Sequence, residues 1–310
     1  MRLQTADNSL GGKVQFTYTP KKLDPNQCPT TVCTATNQGD ERRWRFPVTR
    51  TTINDGMGNQ IVTDYAYQNP AMRGEYNQYG TLTASEFLGF KDSTAHHFEI
   101  VAEGTTPNQE AQYEEMTFWQ AAPSAASAPK PRDPRTGKMQ LHRIWSNLLT
   151  NGAQCPEWER PSKDQPRCLL AESTPVWVAY RLTNNVWTTW VNEQTGPFGV
   201  RKETDNEIKD GASNSTTYLY DLAQQNGGQF GNVTQVQESA DGALLRTTVT
   251  EYFPNAAANI VNKPARVRVY QGAFSATAPL NNCLAETRTI YDNMEIDYNS
   301  PPSKGLVAKT

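Results

Sequence analysis

Thr216-Thr217-Tyr218-Leu219-Tyr220-Asp221, Gly231-Asn232-Val233-Thr234, Arg246-Thr247-Thr248-Val249-Thr250-Glu251-Tyr252 and Ala265-Arg266-Val267-Arg268-Val269-Tyr270 follow one another in a single stretch. Tyr218 and Tyr220 are two residues apart, so in a strand both rings project from one face. Asp221 interrupts the alternation, and Gly231-Asn232 supplies a pair that tolerates positive φ before Val233 restarts it. The stretch therefore predicts strand, turn, strand, turn, strand.

The same kernel recurs outside it. Asp55-Gly56-Met57-Gly58-Asn59 leads into Ile61, Thr63, Tyr65 and Tyr67, which line one face of a strand. Ala285-Glu286-Thr287-Arg288-Thr289-Ile290-Tyr291-Asp292 repeats the tyrosine–aspartate ending. A glycine–asparagine turn plus a strand ending in Tyr-x-Tyr or Tyr-Asp, spaced along the chain, points to a repeat-built β surface.

This kernel resembles the YD repeat of the Rhs family, which includes bacterial Rhs toxins, the B and C components of Tc toxin complexes, and the animal teneurins. Glu86-Phe87-Leu88-Gly89-Phe90 is similar to a Glu-Phe-Arg-Gly-Phe signature of that family, with Leu88 in the arginine position. Val261-Asn262-Lys263-Pro264-Ala265-Arg266-Val267 and Ala285-Glu286-Thr287-Arg288 also resemble segments of bacterial YD-repeat proteins. The nine residues between Asp221 and Gly231 depart from the usual repeat and imply a longer loop. The resemblance implies an all-β fold of antiparallel hairpin repeats, curled into part of a hollow shell around a toxin or effector polypeptide. It implies a structural, non-catalytic segment without cofactor, metal or catalytic residues, whose partners are the enclosed polypeptide and neighbouring shell segments. Any toxin activity would lie in a C-terminal segment outside these residues. The alternative is a recognition or adhesion module, secreted or at a cell surface, that binds carbohydrate or protein.

Bulk properties fit a wetted sheet. Only 36% of the residues are hydrophobic, and mean hydropathy is −0.70. Strands with one solvated face need an apolar residue only at alternate positions. A net charge of −3 gives no basic footprint for nucleic acid or anionic lipid. No run of about 18 apolar residues exists to span a bilayer as a helix. The first residues, Met1-Arg2-Leu3-Gln4-Thr5-Ala6-Asp7, lack the apolar core of a secretory signal. The chain reads as a section of a longer secreted or surface polypeptide. Its strands at Gln15–Tyr18 and Leu306–Ala308 are expected to present unprotected edges.

Taken in order, residues 1–120 form a β-rich part containing the first hairpin. Strands are predicted at 14–18, at 44–52 with an interruption at Pro47, at 81–87 and at 98–101. Residues 121–138 are an Ala/Pro/Ser-rich linker. Leu141, Ile144, Trp145, Leu148 and Leu149 fall at helical spacing, and Gly152 is placed to end a helix over 141–151. That helix and a tryptophan-rich hairpin, Pro175–Leu182 with Val186–Val191, make up residues 139–208. Residues 209–310 are the repeat section, and the whole is one continuous segment.

Five cysteines are present. Cys28 with Cys33 and Cys155 with Cys168 are near enough in sequence for local disulfides or to remain free thiols, and Cys283 stands alone. Cys155 and Cys168 are expected to approach each other across the loop they bracket. Neither spacing matches a common zinc knuckle, and no histidine flanks them.

The residues that could carry chemistry have plainer readings. His96 and His97 are adjacent, so in a strand they face opposite ways and cannot share one ion. With His142 they are read as solvated or structural. Glu114-Glu115 is the obvious acidic pair, but glycosidase carboxylates are defined by separation in space. No nucleophile elbow or phosphate loop occurs. Asp133-Pro134-Arg135-Thr136-Gly137 is read as an exposed turn. Trp187 and Trp190 face opposite ways on a strand, so they do not form one sugar-stacking platform with Trp177.

Overall fold

The computed structural model describes residues 2–8, 10–19, 21–22, 44–76, 82–120, 133–146, 155, 167–183, 186–190, 198–209, 211–221, 230–279, 281–292 and 297–310. These residues are all-β, with antiparallel pairing throughout the registered ladders and no helix among them. The chain divides into two units. One comprises Met1–Thr174 with Lys209–Gly211, and the other Pro175–Ile208 with Ala212–Thr310.

The first unit contains β1 (Thr5–Asp7), β2 (Lys13–Tyr18), β3 (Lys21–Lys22), β4 (Trp44–Arg45), β5 (Val48–Asn54), β6 (Asn59–Tyr76), β7 (Leu82–Phe98), β8 (Val101–Ala102), β9 (Glu110–Phe118), β10 (Met139–Ser146) and the first part of β11 (Leu169–Thr183). Neighbours run β1-β2-β5-β6-β7-β9-β10-β11, with β8 also on β6, while β3 and β4 pair separately. The first hairpin forms where its turn residues lie. The Asp55 carboxylate accepts bonds from the Met57 and Asn59 backbone N–H groups at 2.7 and 3.1 Å. Gly56 has φ +78°, and a Cβ there would lie 2.9 Å from the Gly11 carbonyl carbon. Only glycine lets this turn rest against the turn between β1 and β2.

The second unit takes the rest of β11, then β12 (Val186–Thr189), β13 (Phe198–Lys209), β14 (Ala212–Tyr220), β15 (Val233–Ala240), β16 (Ala243–Tyr252), β17 (Pro264–Gln271), β18 (Cys283–Arg288), β19 (Ile290–Tyr291) and β20 (Val307–Lys309). Its order is β11-β13-β14-β15-β16-β17-β18, with β12 on β11 and β19 paired to β20. β14, β15, β16 and β17 are the strands expected from the opening stretch. Tyr65, Tyr67, Tyr218, Tyr220, Tyr252 and Tyr291 all lie in strands.

The cores are thin. Buried apolar residues are Val62, Ala95, Trp145, Cys168 and Leu169 in the first unit, and Ala179, Tyr180, Trp190, Ala265 and Tyr270 in the second. Every residue of β15 is half-buried, and all but one of β9 are. A sheet packed on one side would alternate buried with exposed. Along β15 no such alternation occurs, so neither face is fully buried or fully exposed.

Several expectations are corrected. The helix over 141–151 does not form: 139–146 is β10, paired to β9 on one edge and β11 on the other. Leu141 and Trp145 share one face and Ile144 the other, so the apparent helical spacing was two strand faces read together. Residues 147–151 lie outside the described residues, as do Cys28, Cys33, Thr81, Asn184 and Val191. The strand predicted at 98–101 does not form as one element: Phe98 ends β7 and Val101 begins β8. Within the linker, 121–132 lie outside the described residues, whereas 133–138 form an ordered turn. The two named edges differ. β2 is hydrogen-bonded to both β1 and β5, so its edges are covered, whereas β20 pairs only with β19 among the described residues and keeps one open edge.

Candidate functional site

All three histidines gather on β7 and β10, on either side of β9. The register puts Ala95 and Ile144 opposite Glu114, while His96 and Trp145 sit opposite Tyr113. His97, Glu114 and His142 therefore share one face, and His96, Tyr113, Glu115 and Trp145 the other. As expected, His96 and His97 face opposite ways. His142, however, stands on a strand and not on a helix.

On the first face Glu114 lies between two imidazoles. His97 Nε2 approaches its Oε1 at 3.0 Å and His142 Nε2 its Oε2 at 3.1 Å. Thr63 Oγ1 is 3.2 Å from His97 Nδ1. Hydroxyl, imidazole and carboxylate in a row have the order of a nucleophilic triad. Thr63 is only 6% exposed, which closes its hydroxyl to a substrate and makes the row a cross-strand tie.

On the second face Glu110 binds two partners. His96 Nδ1 is 2.6 Å from its Oε2. Arg167 donates an aligned bond from Nη2 to Oε2 at 3.1 Å, and its Nη1 makes a closer ionic approach of 2.6 Å to Oε1. The Arg167 guanidinium lies 4.2 Å from the Tyr113 ring centre. Arg167 is held by its neighbour, because Cys168 is disulfide-bonded to Cys155, with Cα atoms 5.5 Å apart. Cys168 is also tied to the end of β10 through Ser146. The Cys155–Cys168 approach is thus as expected, and Cys283 is a free thiol. Glu115 accepts from Trp145 Nε1 at 3.0 Å on this face, so Glu114 and Glu115 diverge and cannot act as a carboxylate pair on one substrate. Among the described residues no group of three or more His, Cys, Asp or Glu is placed to hold a metal ion. Sequence reasoning missed Glu110 and Arg167, since no motif or periodicity marks either.

The remaining candidates are occupied structurally. Asp133 accepts from the backbone N–H and guanidinium of Arg135, and that guanidinium lies 4.1 Å from the Trp119 ring centre. Trp190 is buried edge-on to Phe198. Lys202 Nζ sits 5.5 Å from the Trp177 ring centre. Buried Tyr180 donates its hydroxyl to Glu203, and burial, then that bond, push the phenol well above its ordinary range.

The repeat kernels share one device. Tyr67, Tyr220, Tyr252 and Tyr291 each donate the phenolic hydroxyl to a backbone carbonyl of an earlier strand, at Val48, Lys202, Val233 and Pro264 respectively, over 2.6–3.0 Å. Val48, Val233 and Pro264 are the first residues of their strands. The aspartates that follow Tyr220 and Tyr291 bind backbone N–H groups further along the chain. Asp221 accepts from the Asn232 backbone N–H at 2.7 Å. Asp292 accepts from the backbone of Ser303, Lys304 and Leu306 at 2.5, 2.9 and 3.0 Å. Gly231 (φ +73°) is pressed against Arg201, whose Nη2 would lie 2.1 Å from a Cβ. A cleft of about 410 Å³ opens beside Asp221, Glu251, Tyr252, Phe253 and Phe274.

The two aspartates titrate in opposite directions. The Lys304 N–H leads the donors that hold Asp292 at about 2, whereas burial raises Asp221 above its ordinary 3.8. Asp292 contributes stability that is present above the unfolded-state value near 4 and lost as pH falls toward 2. Asp221 works the other way, its contribution falling as pH rises from the unfolded-state value through its own. Carboxyl-carbon NMR titration is expected to find Asp292 ionised at pH 3 and Asp221 protonated there. Coincident midpoints for the two would refute this reading.

No family model matches the chain, and no curated protein does.

Proposed function

We propose that this chain is a non-catalytic wall segment of an Rhs/YD-repeat type shell, enclosing a toxin or effector polypeptide. The observation that supports this most is the recurring tyrosine–carbonyl tie, found at four places and in both units. A hydroxyl bonded across to an earlier strand stiffens a sheet without needing a second layer to pack against it. Strands such as β15, half-buried along their length, then leave a surface rich in Thr, Gln and Glu that offers an unfolded chain no continuous apolar patch. A wall with those properties can hold a polypeptide without binding it irreversibly.

The test uses the natural full-length polypeptide that carries this chain. Limited proteolysis followed by mass spectrometry is expected to leave one polypeptide segment uncut until the sheet itself is cleaved. If every segment outside the sheet is cut at the rate of an unfolded chain, nothing is enclosed and the shell reading fails.

A further inference from the structure

We infer that the outer edge of β18, with Arg288 and Tyr298 at its end, is a docking site for an extended acidic peptide that adds to the sheet as a strand. The edge is available: β18 ends the strand order of its unit and pairs only with β17 among the described residues. Five of its six residues are exposed, and Leu284 is 63% exposed. An added strand would satisfy the backbone N–H and C=O groups that this edge turns away from β17.

The charge of the edge selects the occupant. Arg266 and Arg288 are directly opposed on β17 and β18, and like charges in that position destabilise a sheet. Both guanidiniums lie near the Tyr298 ring centre, at 5.4 and 4.8 Å, and Arg266 Nη1 also bonds the Tyr298 hydroxyl at 3.1 Å. Arg268 stands two residues along on the same face. Two carboxylates serve these three guanidiniums. Glu251 takes Arg266, and Glu286 is divided between Arg268 and Arg288. One positive charge is left over among the described residues here. It is presented by Arg288, whose side chain is 54% exposed against 17% for Arg266 and 11% for Arg268. Arg288 uses Nε for Glu286, so Nη1 and Nη2 remain for a ligand. A planar fork already aligned beside an aromatic ring loses little freedom on gripping a carboxylate. A residue facing Arg288 on an added strand would project its side chain from the same face, about 5 Å away. Glutamate or aspartate at that position supplies the missing charge.

Isothermal titration of the full chain with the peptide Thr-Val-Thr-Glu-Thr-Val, whose one carboxylate can face Arg288 without a second one facing Glu286, tests this at low salt. Binding is expected to weaken with added salt and to fall by at least about tenfold in Arg288→Gln. The lysine counterpart, Thr-Val-Thr-Lys-Thr-Val, is expected not to bind. The Arg288→Gln variant should unfold at the same midpoint as the parent or higher, because it relieves the Arg266–Arg288 opposition; a large drop in its midpoint would count against the reading. Equal binding by the variant, or equal binding of the lysine peptide, overturns the proposal. Displacement of the peptide by an equal concentration of inorganic phosphate also overturns it, since the site would then be one for small anions.

Discussion

Tyr270→Ala is expected to destabilise the second unit by about 3–5 kcal/mol, the largest effect of any single truncation there. Tyr270 has no exposed surface. Its ring lies 5.1 Å from that of Phe274, and its hydroxyl donates to the Pro279 carbonyl at 2.9 Å. Its cross-strand partner is Thr247, also without exposed surface and bonded to the Gly272 carbonyl at 2.6 Å. Truncation removes at once the ring packed beside Phe274 and the hydroxyl bonded to Pro279. Tyr270→Phe keeps the ring and loses only the hydroxyl, so its cost should be about 1 kcal/mol. Urea unfolding of the two variants measures both values. A Tyr270→Ala cost near that of Tyr270→Phe would mean that the ring is not a packing centre.

Glu110→Leu is expected to cost about 3–5 kcal/mol in the first unit, because it strands the Arg167 charge. The Arg167 side chain is 7% exposed and that of Glu110 11%. The guanidinium cannot swing to water while Cys168 is fixed by the disulfide to Cys155 and by Ser146 to the end of β10. His96, at 37% exposure, can turn to solvent and so adds little to the loss. Removing both charges in Glu110→Leu/Arg167→Leu should recover most of the stability, since a buried pair is worth little against apolar residues of similar volume. Chemical denaturation of the single and double variants decides this. A double variant as unstable as the single one would show that packing, and not the stranded charge, sets the cost.

Local pattern carried the strands of the repeat. Tyr218 and Tyr220 alternate, Gly231 and Asn232 turn the chain, and β14 to β17 form where those residues place them. Alternation is a property of neighbouring residues, so it survives without knowledge of partners. The 141–151 segment failed for the complementary reason. Leu141, Ile144 and Trp145 fit helical spacing as well as strand spacing, and only the ladders to β9 and β11 decide between them.

The chemistry-bearing residues divide in the same way. Parity alone determined that His96 and His97 diverge, and proximity in sequence made Cys155 and Cys168 candidates for a bridge. The sequence by itself thus settled the β class, the repeat kernel and which side chains of a strand share a face. Only the tertiary structure decided that Glu114 serves both His97 and His142, that Arg167 reaches Glu110 from 57 residues away, and that Arg266 meets Arg288. Those meetings depend on which strands pair and in what register. Pairing is fixed by the cooperative closure of long loops, a free-energy balance that no local run of residues contains.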